Sequence, residues 1–207
     1  MKTSNVQQRS DEWFQLRRGR IGGTRFGQVL SNVKNRLIYE LLSERIDDLQ
    51  EEEDEYDSFE MQFGRDNEDM VLQMYTDRTG IQTQKVGVIF SDFCEIHMAS
   101  PDACSIDTSI IQEVKCTLKP SIQRQRYFEG IDAKLMPQVI SYFALSDEVK
   151  EVHWISYCPF AKNSELIIHT VKRDTVTKDG TIQQIVEKSR VKLISIEKQL
   201  KEMEAAL

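Results

Sequence analysis

Three charged residues near the middle of the chain have the types and spacing of a metal-dependent hydrolytic site. Asp102 follows a serine and a proline, and Glu113 and Lys115 flank Val114 further along. Alternate side chains of a β-strand point to the same face of the sheet, so Glu113 and Lys115 should project together while Val114 points into the core. A hairpin before that strand would bring the Asp102 carboxylate alongside Glu113.

Two converging carboxylates repel each other unless a cation lies between them, and hard oxygen ligands favour Mg²⁺ or Mn²⁺. The sequence therefore predicts Asp102 and Glu113 as metal ligands, with the carbonyl oxygen of Val114 as a further ligand. Water acidified at such a metal can attack a phosphodiester, and Lys115 would orient that water or neutralise charge developing on phosphorus. The alternative is a solvated pair of charges on an edge strand, because this short pattern often arises by chance.

Hydrophobic periodicity predicts the elements that must position these residues. Cap residues and apolar positions at helical spacing predict helices from Ser10, from about Thr24, and over residues 35–49, 58–79, 121–128, 133–145 and 175–207. Alternating and β-branched segments predict strands over residues 86–90, 96–100, 110–116, 152–157 and 166–171, the first three as a meander. This order predicts a single α/β domain over residues 1–207, with a central mixed sheet flanked by helices.

Composition limits the class of protein without identifying it. Hydrophobic residues form 40% and charged residues 29% of the chain, which is typical of a globular protein. No apolar segment approaches the roughly 18 to 20 residues that cross a bilayer, and the N-terminus lacks the apolar centre of a secretory signal. The four cysteines show neither a CxxC pair nor zinc-ligand spacing, so we expect reduced, mostly buried thiols and a cytoplasmic protein.

The charge distribution is uneven. The net charge of −7 opposes phosphate binding if it is spread evenly. Residues 51–55 are all acidic and are expected to form a solvated loop or helix end, whereas cations cluster at Arg17, Arg18, Arg20 and Arg25 and again at Lys115, Lys119, Arg124 and Arg126. Local fields of this kind, rather than the total charge, decide where a polyanion docks.

Several segments match one known family in order. They are a Trp and Leu-Arg helix before a small-residue turn at residues 10–24, an acidic helix motif at 63–68 leading to Thr79-Gly80, Ser-Pro-Asp at 100–102, Glu-Val-Lys-Cys at 113–116, and Met-Pro-Gln-Val at 136–139. Over residues 7–160 this layout resembles the phage exonuclease family of lambda-type exonucleases and YqaJ-type viral recombination nucleases, within the PD-(D/E)xK nucleases. The resemblance implies a restriction-endonuclease-like core.

The resemblance also implies a role for each matching residue. Asp102 and Glu113 would ligate the metal, and Lys115 would assist the attacking water. Glu68 would complete the metal site directly or through water, unless it is an exposed helical carboxylate. Gln138 would form a hydrogen bond in the same pocket, unless it is an ordinary surface amide.

Two residues of the N-terminal motif match the positions that receive a 5′-terminal phosphate in lambda-like members. They are Arg17 and Thr24. An arginine fork and the N–H groups at a helix start together form an anion site, although Arg17 could instead form a surface ion pair. The chain departs from the family pattern in the preceding turn, where Gly22-Gly23 stands in place of the usual Thr-Ala.

The function implied by the resemblance is Mg²⁺-dependent digestion of linear double-stranded DNA from 5′ ends, leaving 3′ single strands for recombination. Lambda-like members form a ring of three subunits and act with a single-strand annealing protein, so we expect a homotrimer and an annealing partner here. If the chain is phage-encoded, it would act in the host cytoplasm. One alternative is a structure-specific or sequence-specific endonuclease, which would cut circular DNA. Another is a non-catalytic recombination scaffold, which has no reason to keep Asp102, Glu113 and Lys115.

Overall fold

The computed structural model describes residues 1–31, 34–47 and 58–207. In chain order its helices are α1 (Asp11–Arg17), α2 (Phe26–Leu30), α3 (Lys34–Ile46), α4 (Phe59–Thr79), α5 (Pro120–Glu129), α6 (Met136–Leu145) and α7 (Ile182–Glu204). Its strands are β1 (Lys2–Ser4), β2 (Thr83–Gln84), β3 (Val88–Phe90), β4 (Met98–Ala99), β5 (Ala103–Ser105), β6 (Ile110–Cys116), β7 (Glu151–Tyr157), β8 (Leu166–Lys172), β9 (Val176–Thr177) and β10 (Gly180–Thr181). The acidic run at residues 51–55 and the predicted helix end at 48–49 lie outside the described ranges.

The helix boundaries follow from local capping. The Ser10 side chain accepts a hydrogen bond from the Trp13 amide at 3.3 Å, and Ser58 caps α4 in the same way. At the other end of α4, Gly80 adopts the left-handed conformation with a φ of 74°. Helix α7 begins later than the predicted residue 175, because Thr181 forms a capping box with Gln184 after the β9–β10 hairpin.

A five-stranded sheet forms the centre of the fold. Its strand order is β2-β5-β6-β7-β8, with β6 and β7 parallel and every other neighbouring pair antiparallel. Helices α5 and α6 make the crossover between the two parallel strands. The prediction of a mixed sheet flanked by helices is confirmed.

The predicted meander of three strands is wrong, because the first two pair with each other in one sheet while the third, β6, belongs to another. Strands β1, β3 and β4 form a separate three-stranded sheet, whereas β6 pairs with β5, which was not predicted. The chain changes sheets at Ser100, Pro101 and Asp102, between β4 and β5. A proline has no N–H to donate to a ladder and is suited to such a break.

Both faces of strand β6 are covered. Ile111 belongs to the larger apolar core, which includes Trp154 and side chains of α6 and α7. On the opposite face, Val114 packs against Val71 and Tyr75 of α4. Burial on both faces fixes the register of β6, since a slip of one residue would exchange its two faces.

Two further expectations concern cysteines and membrane segments. Cys94, Cys104 and Cys158 are buried free thiols, and Cys116 is a half-buried one. Among the helices in the described ranges, none has both the length and the apolar character of a bilayer-spanning segment.

Two glycines provide an opposed pair of substitutions that tests this packing. A Cβ atom at Gly87 would lie 2.0 Å from the backbone oxygen of Val6, so Gly87→Ala must displace the N-terminal segment. We expect this substitution to lower the free energy of unfolding by about 1 to 3 kcal/mol. Gly64→Ala, inside α4 with nothing within 4 Å of the added atom, should raise it by about 0.5 to 1 kcal/mol. Urea unfolding measures both, and equal midpoints for the two variants would contradict the described packing.

Candidate active site

Strand β6 presents a carboxylate and an ammonium group side by side. Glu113 and Lys115 project from the same face, and the Lys115 ammonium donates a hydrogen bond to the Glu113 carboxylate. Glu113 is only 2% exposed, so its charge lies inside the protein. Val114, between them, points to the other face and packs against α4. The alternation of the strand therefore produces the charge pair expected from the sequence.

The β5–β6 hairpin brings Asp102 to this pair. Ala103 lies opposite Gln112 in the antiparallel ladder, and one more step of the same register places Asp102 opposite Glu113. The Oδ2 atom of Asp102 accepts a hydrogen bond from the Val114 amide at 2.6 Å. The aspartate is thus fixed to the backbone between Glu113 and Lys115.

The carboxylates of the site act on one another electrostatically. Burial raises the pKa of Asp102 well above its usual range, and the charge of Glu113 raises it further. The Lys115 charge opposes this rise, while the more distant charge of Glu68 adds to it. A cation at this point would relieve the repulsion among the carboxylates.

Helix α6 holds Glu113 from the opposite side. Gln138 Nε2 donates to Oε1 of Glu113 at 2.7 Å, and the Tyr142 hydroxyl donates to Oε2. Gln138 also donates to the Tyr142 oxygen at 3.1 Å. Pro137 in the first turn starts the helix without losing a hydrogen bond, since the first amides of a helix have no partner in it.

Tyr142 was not among the site residues predicted from the sequence. It is 1% exposed, and both burial and the charge of Glu113 raise the pKa of its hydroxyl well above the usual value. The hydroxyl therefore stays protonated and remains a donor. The signal that could have found it is its position four residues after Gln138, which places both side chains on one helix face.

Glu68 approaches the site from α4 but is paired elsewhere. Its Oε1 atom lies 3.1 Å from the ammonium of Lys85. Glu68, Asp102, Val114 and Lys115 line one cleft of about 740 Å³, which also includes the N-terminal residues 5–9. The structure thus brings the predicted metal-site residues around one cleft, with Glu113 behind its wall.

The donor types suit Mg²⁺ or Mn²⁺, because the carboxylates and the Val114 carbonyl are all hard oxygen ligands. In the described residues no three His, Cys, Asp or Glu side chains stand close enough to form a ready metal cluster. Two of the candidate ligands are paired with ammonium groups instead: Glu68 with Lys85, and Glu113 with Lys115. Metal binding would require Glu68 to exchange its lysine partner for the cation.

Arg17 and Thr24 lie in neighbouring parts of the N-terminal region. The Arg17 guanidinium lies 4.2 Å from the centre of the Trp13 ring, and Trp13 Nε1 donates to Ser100 Oγ at 2.9 Å. Thr24 is exposed in the three-residue 3₁₀ turn Gly23–Arg25. Arg17 is thereby connected through Trp13 to the segment that carries Asp102.

The turn that contains Thr24 also contacts the active-site helix. A Cβ atom at Gly23 would lie 3.0 Å from Cγ of Gln138 and 3.3 Å from Oγ of Ser141. A glycine here lets the turn approach the side chain that donates to Glu113. The predicted phosphate-binding turn and the carboxylate site are therefore in direct van der Waals contact.

Comparison with known proteins identifies the family. The model of the YqaJ-like viral recombinase domain matches residues 12–148, and the chain belongs to this family. The fold resembles that of an alkaline exonuclease (LHK-Exo) from Laribacter hongkongensis, with a TM-score of 0.74, 21% identity, and coverage of 95% of this chain and 97% of that one. A structure of LHK-Exo in complex with dAMP gives the same values.

A phage-related exonuclease from Haemophilus somnus 129PT is a more distant structural match. Its TM-score is 0.60 at 10% identity, with coverage of 93% of this chain and 98% of that one. The comparison with curated proteins gives no match. The sequence-based recognition of the family is thus confirmed by the family model, and the fold by the structural neighbours.

The raised pKa of Asp102 generates a stability prediction. An acid whose pKa is higher in the folded protein than in the unfolded chain lowers the free energy of unfolding when it is ionised. That free energy is regained as the pH falls through the folded pKa and the acid becomes protonated. Asp102→Asn removes the charge and keeps an oxygen acceptor. We expect it to raise the free energy of unfolding at about pH 8 in chelator, with a gain that shrinks towards acidic pH.

Asp107→Asn is the matched control for this prediction. Hydrogen bonds from Ser105 and Ser109 lower the pKa of this exposed aspartate, so its ionised form stabilises the fold above its usual pKa. Its replacement should lower stability at about pH 8. Urea midpoints that move in the same direction for both variants would contradict the electrostatic assignment.

The Tyr142 hydrogen bond generates a second prediction. Tyr142→Phe leaves a buried charged oxygen of Glu113 without one donor, so we expect a loss of about 1 to 3 kcal/mol in the free energy of unfolding. Tyr39→Phe, at a side chain that is 60% exposed, should change it by less than about 0.5 kcal/mol. Denaturant unfolding in chelator compares the two. Equal stability of both variants and the parent would refute the role of the Tyr142 hydroxyl.

Proposed function

We propose that this chain is a metal-dependent exonuclease that digests linear double-stranded DNA from 5′ ends and leaves 3′ single strands for recombination. The observation that carries the proposal is the convergence of Asp102, Glu113 and Lys115 at one end of the β5–β6 hairpin, in a chain of the YqaJ-like viral recombinase family. The exonuclease folds of the structural neighbours support the same class of enzyme.

The carboxylates of Asp102, Glu113 and Glu68 and the Val114 carbonyl are the groups that would hold Mg²⁺, or Mn²⁺ in its place. When bound, such an ion supplies an acidified water and draws charge from the phosphate. Gln138 and Tyr142 would keep the Glu113 carboxylate oriented while Lys115 leaves it to face the substrate.

Lys115 acts in this proposal as a cation and not as a general base. Burial disfavours its charge, but Glu113 and Asp102 outweigh that effect and raise the pKa of the ammonium above its ordinary value. In the arrangement described here the ammonium carries its proton at neutral pH and cannot take one from water. It can donate hydrogen bonds to the attacking water or to a phosphate oxygen and so stabilise negative charge in the transition state.

The cleft suits a nucleic acid because cations line it beside the carboxylates. Arg9, Arg65 and Lys85 belong to its walls, whereas the whole chain has a net charge of −7. Contacts of this kind with phosphates position a strand independently of its sequence. An enzyme that removes successive nucleotides must bind its strand whatever the sequence.

The polarity of digestion rests on the N-terminal region. Arg17 stacks on Trp13 beside Ser100, and the turn that carries Thr24 contacts Gln138. An arginine held in this way can bind a terminal phosphate through two parallel hydrogen bonds. We further propose, from the family, a ring of three subunits, a single-strand annealing partner and action in the cytoplasm of the host cell.

Digestion of defined DNA substrates tests the proposal. The parent protein with Mg²⁺ should degrade a linear duplex that bears 5′ phosphates and leave 3′ single strands, while a closed circular duplex stays intact. Lys115→Ala should lower the rate by about 100-fold or more, because it removes a cation aimed at developing charge. Lys188→Ala, at an exposed position of α7, is the control and should digest as the parent does.

The metal and the polarity have separate readouts in the same assay. Chelator should abolish digestion, and a duplex without 5′ phosphates should be degraded more slowly. Cleavage of the circle would establish an endonuclease instead. Digestion that continues in chelator would refute the metal mechanism.

A further inference from the structure

Three large aromatic side chains are exposed on the two segments that follow strands β6 and β7, which are helix α5 and the β7–β8 loop. Tyr127 and Phe128, at the C-terminal end of α5, are 56% and 80% exposed, and Phe160, in the loop between β7 and β8, is 62% exposed. Aromatic rings bury more area than most side chains, so leaving them in water forgoes stabilisation that burial would give. The proposed hydrolysis uses none of the three.

Exposed cations accompany these rings. Lys119 immediately precedes α5, Arg124 lies one turn before Tyr127 and Phe128 on the same helix, and Lys162 lies two residues after Phe160. We call this set the basic aromatic surface, and it consists of Lys119, Arg124, Tyr127, Phe128, Phe160 and Lys162.

Buried hydrogen bonds join the two segments of the surface. Gln123 of α5 donates from Nε2 to the carbonyl oxygens of Ser164, at 3.0 Å, and Glu165, at 3.1 Å, in the β7–β8 loop. Gln123 is fully buried, so the loop is held against the helix from beneath. The Arg124 guanidinium also approaches the Lys162 carbonyl oxygen, at 3.5 Å. The rings and cations therefore share one fixed framework.

The local charge is opposite to that of the whole chain. The chain has a net charge of −7, yet within the described ranges no ion pair engages Lys119, Arg124 or Lys162. The carboxylates in the same two segments are Glu129, which accepts from Gln125 at 2.8 Å, and Glu165. Unpaired cations beside exposed rings favour an anionic occupant with flat, stackable groups.

Strand β6, which carries Glu113 and Lys115, leads directly into the helix of this surface. Residues 117–119 connect β6 directly to α5, so Lys119 follows soon after Lys115. On the inner side of the helix, Arg126 donates to Ser156 Oγ at 2.9 Å, with its guanidinium over the Trp154 ring. The inner side of α5 is thus packed on the sheet, while Arg124, Tyr127 and Phe128 on its outer side are exposed to solvent.

We propose that the basic aromatic surface binds single-stranded DNA, and that its occupant is the strand left undigested; this inference rests on the proposed exonuclease function. Unpaired bases stack on aromatic rings while cations follow the phosphates, which is how single strands are bound without regard to sequence. A second copy of the chain suits the surface less well, because two of its three cations are lysines, which are depleted at protein interfaces.

Binding of a fluorescein-labelled oligothymidylate, followed by anisotropy in chelator, tests the surface without cleavage. The double variant Tyr127→Ala/Phe128→Ala and the variant Phe160→Ala should each bind about tenfold or more weakly than the parent. Arg124→Glu should also weaken binding and reduce its dependence on salt, with a slope of log affinity against log salt about 0.7 smaller for each lost phosphate contact.

Matched controls lie on α7. Val191→Ala, at a side chain that is 69% exposed, and Lys188→Glu should bind the oligothymidylate as the parent does. Circular dichroism should show that all variants are folded, since each replaced side chain is exposed. Unchanged affinity of the aromatic variants would overturn the proposal.

Light scattering distinguishes DNA binding from an interface between copies of the chain. The variants should have the same molar mass as the parent, and a lower mass for the aromatic variants alone would overturn the proposal in favour of a subunit interface. Failure of the nuclease proposal can be distinguished from failure of the surface proposal. A parent protein that binds oligothymidylate but digests no duplex refutes the nuclease function and the identity of the bound strand, but not the binding surface. A parent that digests duplex ends while the variants bind normally refutes only the surface.

Discussion

The buried carboxylate of Glu113 is the constraint on which the site depends. A charge that is 2% exposed is tolerated only when donors surround it, and here three donors come from two elements. Lys115 supplies an ammonium from the same strand, and Gln138 and Tyr142 supply an amide and a hydroxyl from α6. The packing of α6 against the sheet and the chemistry of the site are therefore one arrangement.

Asp102 joins this arrangement because the chain changes sheets beside it. Pro101 ends the pairing of β4, and the next residues enter β5, whose register with β6 sets Asp102 opposite Glu113. The aspartate is held to the Val114 amide while its neighbours raise its pKa. Such electrostatic strain between carboxylates is typical of sites built to bind a cation, where function is obtained at some loss of stability.

The elements that could be predicted from the sequence are those determined by neighbouring residues. Ser10 and Ser58 cap helices, Gly80 ends one, and the alternation of residues 110–116 puts Glu113 and Lys115 on one face. The family resemblance added Glu68 and Gln138, which local periodicity alone does not connect to the site. Glu68 lines the cleft beside Asp102, and Gln138 donates a hydrogen bond to Glu113, while their catalytic and metal-binding roles are proposals.

What the sequence could not predict depends on contacts between distant segments. Strand β5 is three residues long and carries no periodic signal, so the meander was predicted in its place. Tyr142 resembles any apolar helix residue until its hydroxyl is seen beside Glu113. The pairing of Glu68 with Lys85 likewise arises from the approach of α4 to a loop. Each of these features depends on contacts between residues distant in the sequence, which local hydrophobic periodicity does not encode.

Thermal unfolding with and without Mg²⁺ measures whether Asp102 and Glu113 share a divalent cation, as we propose. A ligand that binds only the folded state stabilises it by about 2.7 kcal/mol at one hundred times its dissociation constant. If these two residues share the ion, millimolar Mg²⁺ should raise the Tm of the parent but not that of Asp102→Asn or Glu113→Gln, with NaCl of equal ionic strength as the reference. An equal rise in the parent and both variants, or no rise in the parent, would contradict it.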